Sequence, residues 1–117
     1  MVTIWHNPNC STSKHALTTA KDLGIDVDIR QYLKQPPSRD ELVAVLDALE
    51  DEPSTLVRKD QRYADLGLSD ADVATAEQVA DVLAANPALI QRPVLIDGDR
   101  AIIGRPKNRV APFLQGE

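Results

Sequence analysis

The 117-residue chain is long enough for one domain with its own core, and 43% hydrophobic with 26% charged residues is an ordinary globular composition. Its net charge of −5 excludes general nucleic-acid binding, which needs a basic footprint, but leaves room for a local anion site. No apolar run approaches the roughly 18 residues of a membrane span, and no basic start with an apolar run marks a signal peptide, so the expected location is the cytoplasm.

Aromatic residues make up only 3%, so the core must come from Leu, Val, Ile and Ala. Val2-Thr3-Ile4-Trp5 reads as a short strand, and a turn follows at Asn7-Pro8. A helix then runs from Ser11 or Thr12 to Leu23, with Ala16, Leu17, Ala20 and Leu23 on one face and Gly24 at the C′ position. Ile25 to Arg30 alternates strictly and predicts a strand with one buried face. Pro36-Pro37 breaks the chain, and Ser38-Arg39-Asp40-Glu41 has capping-box spacing for a helix striped by Leu42, Val45, Leu46 and Leu49. Leu56 to Tyr63 mixes cations with apolar residues and fits no period; a helical turn at Tyr63 to Leu66 ends at Gly67. Ser69-Asp70-Ala71-Asp72 caps a further helix through Val73, Ala76, Val79, Ala80 and Leu83, which Asn86-Pro87 stops. Pro93 to Ile96 and Ala101 to Ile103 flank Asp97-Gly98, a hairpin signal. A last helix opens at Pro106 and turns Val110, Phe113 and Leu114 inward.

This order is β-α-β, some fifty helical residues, a hairpin and a final helix. A right-handed β-α-β unit makes the first two strands parallel, and the hairpin adds an antiparallel pair. The expectation is therefore a single α/β domain over 1–117. It has a mixed four-stranded sheet with helices on both faces, and a helical insertion at about 38–86 between strands two and three.

The only cysteine, Cys10, falls at the start of the first helix, wedged between Asn9 and Ser11. A thiol there meets the free N–H groups and partial positive charge of a first turn. Lowering its pKa from about 8.5 to about 6.5 would raise the thiolate fraction at pH 7 from roughly 3% to roughly 75%. His6 would help if it stands near the sulfur and is protonated. The bland alternative is an inert core cysteine, which would more naturally sit inside an apolar run. One cysteine permits no intramolecular disulfide, so any redox cycle takes its second sulfur from another molecule. Cys10-Ser11-Thr12-Ser13 is a C-x-x-S, in which Ser13 either donates to the sulfur or caps the helix. The residue six after Cys10 is Ala16, which rules out the C-x5-R phosphate loop of cysteine phosphatases. Ser11-Thr12-Ser13-Lys14 matches S-x-x-K by chance, since the other motifs and the larger domain are missing. Cys10, His6 and His15 lack zinc spacing, so no metal is expected.

Arg58, Arg92 and Arg105 each border an apolar segment or a strand end. Singly, each reads as a surface arginine. Together they offer planar donor forks suited to a tetrahedral oxyanion, each contact of order 4 kcal/mol gross at about 4 Å and an effective dielectric of about 20.

The chain resembles the glutaredoxin-coupled arsenate reductase family, of thioredoxin-like order, nearly end to end. The resemblance lies in His6-Asn7-Pro8-x-Cys10-x-Thr12-Ser13, Tyr32-Leu33, Pro36 to Leu42, Leu56-x-Arg58-Lys59, Leu66-Gly67-Leu68, Pro87-x-Leu89-Ile90-x-Arg92-Pro93 and Arg105-Pro106. It implies that Cys10 is the nucleophile, His6 tunes it, and Arg58, Arg92 and Arg105 hold arsenate and its adduct. It also implies a cis Pro93 facing the cysteine, glutathione as co-substrate with no bound cofactor, glutaredoxin as partner, and a monomer. Ser11 departs from the family's glycine. Two relatives share the scaffold: Spx-type transcription regulators, which generally carry C-x-x-C where this chain has Ser13, and a branch of thiol-reductase-like proteins that shares the Cys and the R-P element but tends to lack the third arginine, here Arg105. Both contrasts favour the arsenate reductase. A general glutathione-dependent thiol-disulfide reductase and a non-enzymatic Spx-like regulator stay open as alternatives.

Overall fold

A computed structural model describes residues 1–117. Strands β1 (Val2–His6), β2 (Val27–Gln31), β3 (Val94–Asp97) and β4 (Arg100–Ile103) form one sheet in the order β2-β1-β3-β4. β1 and β2 are parallel, joined by helix α1 (Ser11–Asp22), and β3 runs antiparallel to both β1 and β4. Between β2 and β3 lie α2 (Arg39–Ala48), α3 (Gln61–Asp65) and α4 (Ala76–Ala85), with short 3-10 turns at Pro53–Leu56, Asp70–Val73 and Pro87–Leu89. A 3-10 turn at Lys107–Arg109 leads into the last helix, α5 (Val110–Leu114).

The period-two strands divide the core into two layers. Ile4, Leu95 and Ile102 are register neighbours in one row and pack with Ala16, Ala20, Val110 and Phe113 of α1 and α5. Trp5, Val94 and Ile103 form the next row and face the opposite layer, built from the helical insertion. Leu42, Val45 and Leu46 of α2 and Val79, Ala80 and Leu83 of α4 supply that side. α1 ends as its sequence predicts: Gly24 takes φ +68°, its N–H reaches Lys21 O, and the Ile25 N–H reaches Ala20 O, a Schellman closure.

Several details differ from the sequence reading. The strand expected over Ile25 to Arg30 is an edge strand shifted to Val27–Gln31; Val27 packs against the α1 layer, but Ile29, farther along the sheet margin, remains 49% exposed. The helix expected from Ser69 is two elements, since Ser69 caps only the turn Asp70–Val73 and Thr75 caps α4 with a box of its own. The unclassified stretch after Leu56 resolves into a β-bridge, Val57 to Ile90, which ties it to the chain just before Arg92. Asp97 pairs with Arg100, so the hairpin turns at Gly98-Asp99, with Gly98 at φ +61° in the first central position, rather than at Asp97-Gly98. Pro106 stands before the 3-10 turn, and α5 proper begins only at Val110.

Arg30 fastens the edge strand to the insertion. Its guanidinium lies 5.8 Å from the ring centre of its register neighbour Trp5, donates to Gln35 O and Pro36 O, and pairs with Glu41 of the α2 capping box. That bond and the Ser38 amide hold the Glu41 carboxyl down to about 2. No helix is long and apolar enough to cross a membrane.

Candidate active site

The turn from β1 into α1 is built from its own polar side chains. Asn7 Oδ1 accepts the Asn9 N–H at 2.9 Å, and Asn7 O accepts the Cys10 N–H at 3.1 Å. This Asx-type closure sets Cys10 as the N-cap of α1, in extended backbone conformation, with its carbonyl accepting the Lys14 N–H. Ser13 is fully buried, and its Oγ accepts the Asn7 N–H at 3.0 Å and meets His6 Nδ1 at 2.6 Å. The Ser13 hydroxyl therefore serves the turn, not the sulfur. One residue beyond the β1–β2 register, the buried Tyr32 hydroxyl faces the Asn7 amide at 3.5 Å.

The sulfur sits where an N-cap oxygen would. Burial opposes ionisation, but Arg92 and the backbone amides of Ser13 and Thr12 outweigh it, and the Cys10 pKa falls below its ordinary value. His6 takes no part in this. Burial, helped by the Lys14 charge, lowers its pKa and favours the neutral ring, and its partner is Ser13. The condition set for His6 to help, a protonated ring near the sulfur, is not the arrangement seen: the ring meets Ser13 and braces the turn. Burial pushes the Tyr32 phenol up, against the pull of Asn7, Arg92 and Arg58.

Two of the three arginines meet at the thiol. Arg105 donates through Nη2 to Cys10 Sγ at 3.3 Å and through Nε to Arg92 O at 2.7 Å. Arg105 makes the aligned N–H···S bond, while Arg92, without such alignment, pulls hardest on the thiol. Arg92 Nε is buried without an acceptor. The Arg92–Pro93 peptide is cis, and Pro93 O accepts the Gly104 N–H at 2.8 Å, which joins the two arginine-bearing segments. Arg58 stands farther out, carried by the Val57–Ile90 bridge, with Asp60 3.7 Å from its guanidinium. Its charge reaches Tyr32 but makes no contact with the sulfur. Asn7 and Tyr32 were not singled out from the sequence for these roles; the Asn7-Pro8 turn was the signal for the first.

The counter-ions are informative. Arg30, Arg39, Arg100 and Arg109 each rest on a carboxylate, whereas Arg92 and Arg105, both partly buried, have none in a chain with 18 acidic residues. With no carboxylate beside them, these two partly shielded cations have only the Cys10 thiolate to balance them, which leaves positive charge for an anionic ligand to offset. No group of three or more His, Cys, Asp or Glu side chains gathers to hold a metal.

The family profile described as the ArsC family matches residues 5–113. The chain belongs to the ArsC family. Among its relatives, an arsenate reductase of Escherichia coli is 36% identical over 115 residues, covering 97% of this chain and 81% of that one. An arsenate reductase of Haemophilus influenzae is also 36% identical over 115 residues, covering 97% and 98%. The solved arsenate reductase of Vibrio cholerae superposes on this ArsC-family chain with a TM-score of 0.85 at 31% identity, covering 95% of each. The mixed sheet with its flanking helices is thus the thioredoxin-like fold of this family.

Proposed function

We propose that this protein reduces arsenate to arsenite, with Cys10 as nucleophile and an external thiol as reductant. The observation that carries the reading is the pair of guanidinium groups without a carboxylate partner, Arg92 and Arg105, at a thiol whose pKa is lowered. Membership of a family whose relatives carry the name arsenate reductase supports the choice of oxyanion.

Arg92 and Arg105 would hold the arsenate oxygens, and Arg58 would close over the outer side. The Cys10 thiolate attacks As(V); an S–As bond forms, an As–O bond breaks, and the oxygen leaves as water after protonation. Arsenic remains pentavalent in this adduct. A thiol, glutathione in the reading favoured here, attacks Cys10 Sγ and forms an S–S bond. The S–As electron pair stays on arsenic, which leaves as arsenite, As(III). A second thiol, delivered by glutaredoxin, attacks the mixed disulfide and restores Cys10. The single cysteine requires both electrons to come from outside.

The test is arsenate-dependent NADPH oxidation coupled through glutathione and glutaredoxin, and separately through thioredoxin. Turnover that vanishes in Cys10→Ser supports the proposal, and the coupling system that works identifies the reductant. Absence of arsenate-dependent turnover with every thiol system would refute it. Equal turnover of a glutathione mixed disulfide without arsenate would instead favour a general thiol-disulfide reductase.

A further inference from the structure

Arg105 is gripped from behind as firmly as it grips the sulfur. Its backbone carbonyl accepts from Arg109 Nη1 at 3.2 Å, and the same nitrogen reaches Ile103 O at 3.0 Å. Arg109 is in turn paired with Asp51, Nη2 to Oδ1 at 3.0 Å and Nη1 to Oδ2 at 3.2 Å. Asp51 Oδ2 also accepts the Ile103 N–H at 3.2 Å. One ion pair therefore binds three backbone groups of the segment Ile103-Gly104-Arg105, on both sides of the glycine that touches Pro93. Asp51 lies just beyond α2, in the helical insertion, so the pair fastens the insertion to the strand end that bears Arg105. Side-chain exposures of 30% for Arg109 and 21% for Asp51 leave the pair partly shielded, where a bidentate bond is worth more than on an open surface. A cavity of about 200 Å³ bounded by Asp51, Thr55, Gln91 and Arg105 lies beside it. Released from its grip, the Arg105 segment would have space to relax into.

We propose that the Asp51–Arg109 pair is a positioning device for Arg105, fixing its backbone so that the guanidinium meets the Cys10 sulfur. Neither residue touches the thiol, so both act through Arg105. The charged groups that act on the sulfur are Arg92 and Arg105, while Lys14 bears on His6. As a device for arsenate chemistry the proposal rests on the function given above. Its test needs no arsenate, so the two can fail separately.

The test is the pH–rate profile of Cys10 alkylation by iodoacetamide on the full chain, with folding checked by circular dichroism. Arg109→Lys keeps the charge but loses the fork that spans two carbonyls and a carboxylate. Asp51→Asn keeps the size but turns an amide N–H₂ toward a donor. Both are expected to move the profile to higher pH and slow alkylation at pH 7 by about threefold or more, as a charge-assisted hydrogen bond to the thiolate weakens. Plain electrostatics predicts otherwise: removing the Asp51 anion would favour the thiolate and speed alkylation, and Arg109→Lys would do nothing. In an Arg105→Ala background, neither substitution should have a further effect. Faster or unchanged alkylation in Asp51→Asn, or the same slowing without Arg105, would overturn the proposal. The two variants are independent, so loss of folding in one leaves the other to decide.

Discussion

Ser13→Ala separates two roles for the second residue of the C-x-x-S pair. In the structure the Ser13 Oγ is bound to the Asn7 N–H and His6 Nδ1, while its backbone amide faces the sulfur. Alanine keeps that amide and removes the oxygen. It leaves the Asn7 N–H and the His6 ring nitrogen without partners, both in residues only 7% exposed. A buried polar group left unpaired costs about 1–3 kcal/mol, against a helix-propensity gain for alanine of up to about half a kcal/mol. At the low end of that range for each of the two groups, the net loss is about 1–2 kcal/mol. For a domain of this size that is a fall in Tm of roughly 4–12 °C. Thermal unfolding measures the first part, and the pH–rate profile of Cys10 alkylation measures the second, which should not move. An unchanged Tm together with a profile shifted to higher pH would refute this assignment, because the hydroxyl would then be serving the thiolate.

Three further outcomes follow from the site and its scaffold. Arg92→Ala removes the cation that most favours the thiolate, so the Cys10 pKa rises and alkylation at pH 7 slows, whereas Arg58→Ala leaves that profile in place and raises KM for arsenate. Glu41 titrates near 2 folded against an ordinary 4.5, so its contribution to stability is full above 4.5 and is lost as pH falls toward 2. The Tm difference between the native chain and Glu41→Gln should narrow over that range in an acid melting series, and a constant difference would count against the Arg30–Glu41 fastening. Leu95→Ala, at a fully buried position between Ile4 and Ile102, should cost about 2–5 kcal/mol in urea unfolding, and a smaller loss would mean the layer can collapse around the gap.

Much of the scaffold was legible because local signals agreed with the global fold. Gly24 closes α1, Ser38 and Glu41 cap α2, and the two β-rich runs on either side of Gly98 pair as a hairpin. Some misread elements had a local signal, as the Thr75-x-x-Gln78 spacing that caps α4 shows, and others are decided by tertiary position. Nothing local says that β2 lies at the sheet margin and leaves Ile29 uncovered, or that Val57 bridges Ile90. The site divides in the same way. Cys10 was visible from the turn before it, since its placement depends on neighbours within a few residues. The contact between Arg105 and Cys10 joins residues 95 positions apart, and it is made only once the β1–β3–β4 pairing brings the two chain segments together. The lowered His6 pKa depends on burial and on Lys14, which no spacing rule reports.

The central claim is that Cys10 bonds to arsenic and hands two electrons to it from an outside thiol. It is tested most directly in a single turnover, by incubating reduced protein with glutathione, with and without arsenate, then mapping Cys10 by mass spectrometry and assaying arsenite. The account predicts a glutathione mixed disulfide on Cys10 only when arsenate is present, with one arsenite released per disulfide formed. An unmodified Cys10 with no arsenite, or a mixed disulfide forming equally fast without arsenate, would contradict it.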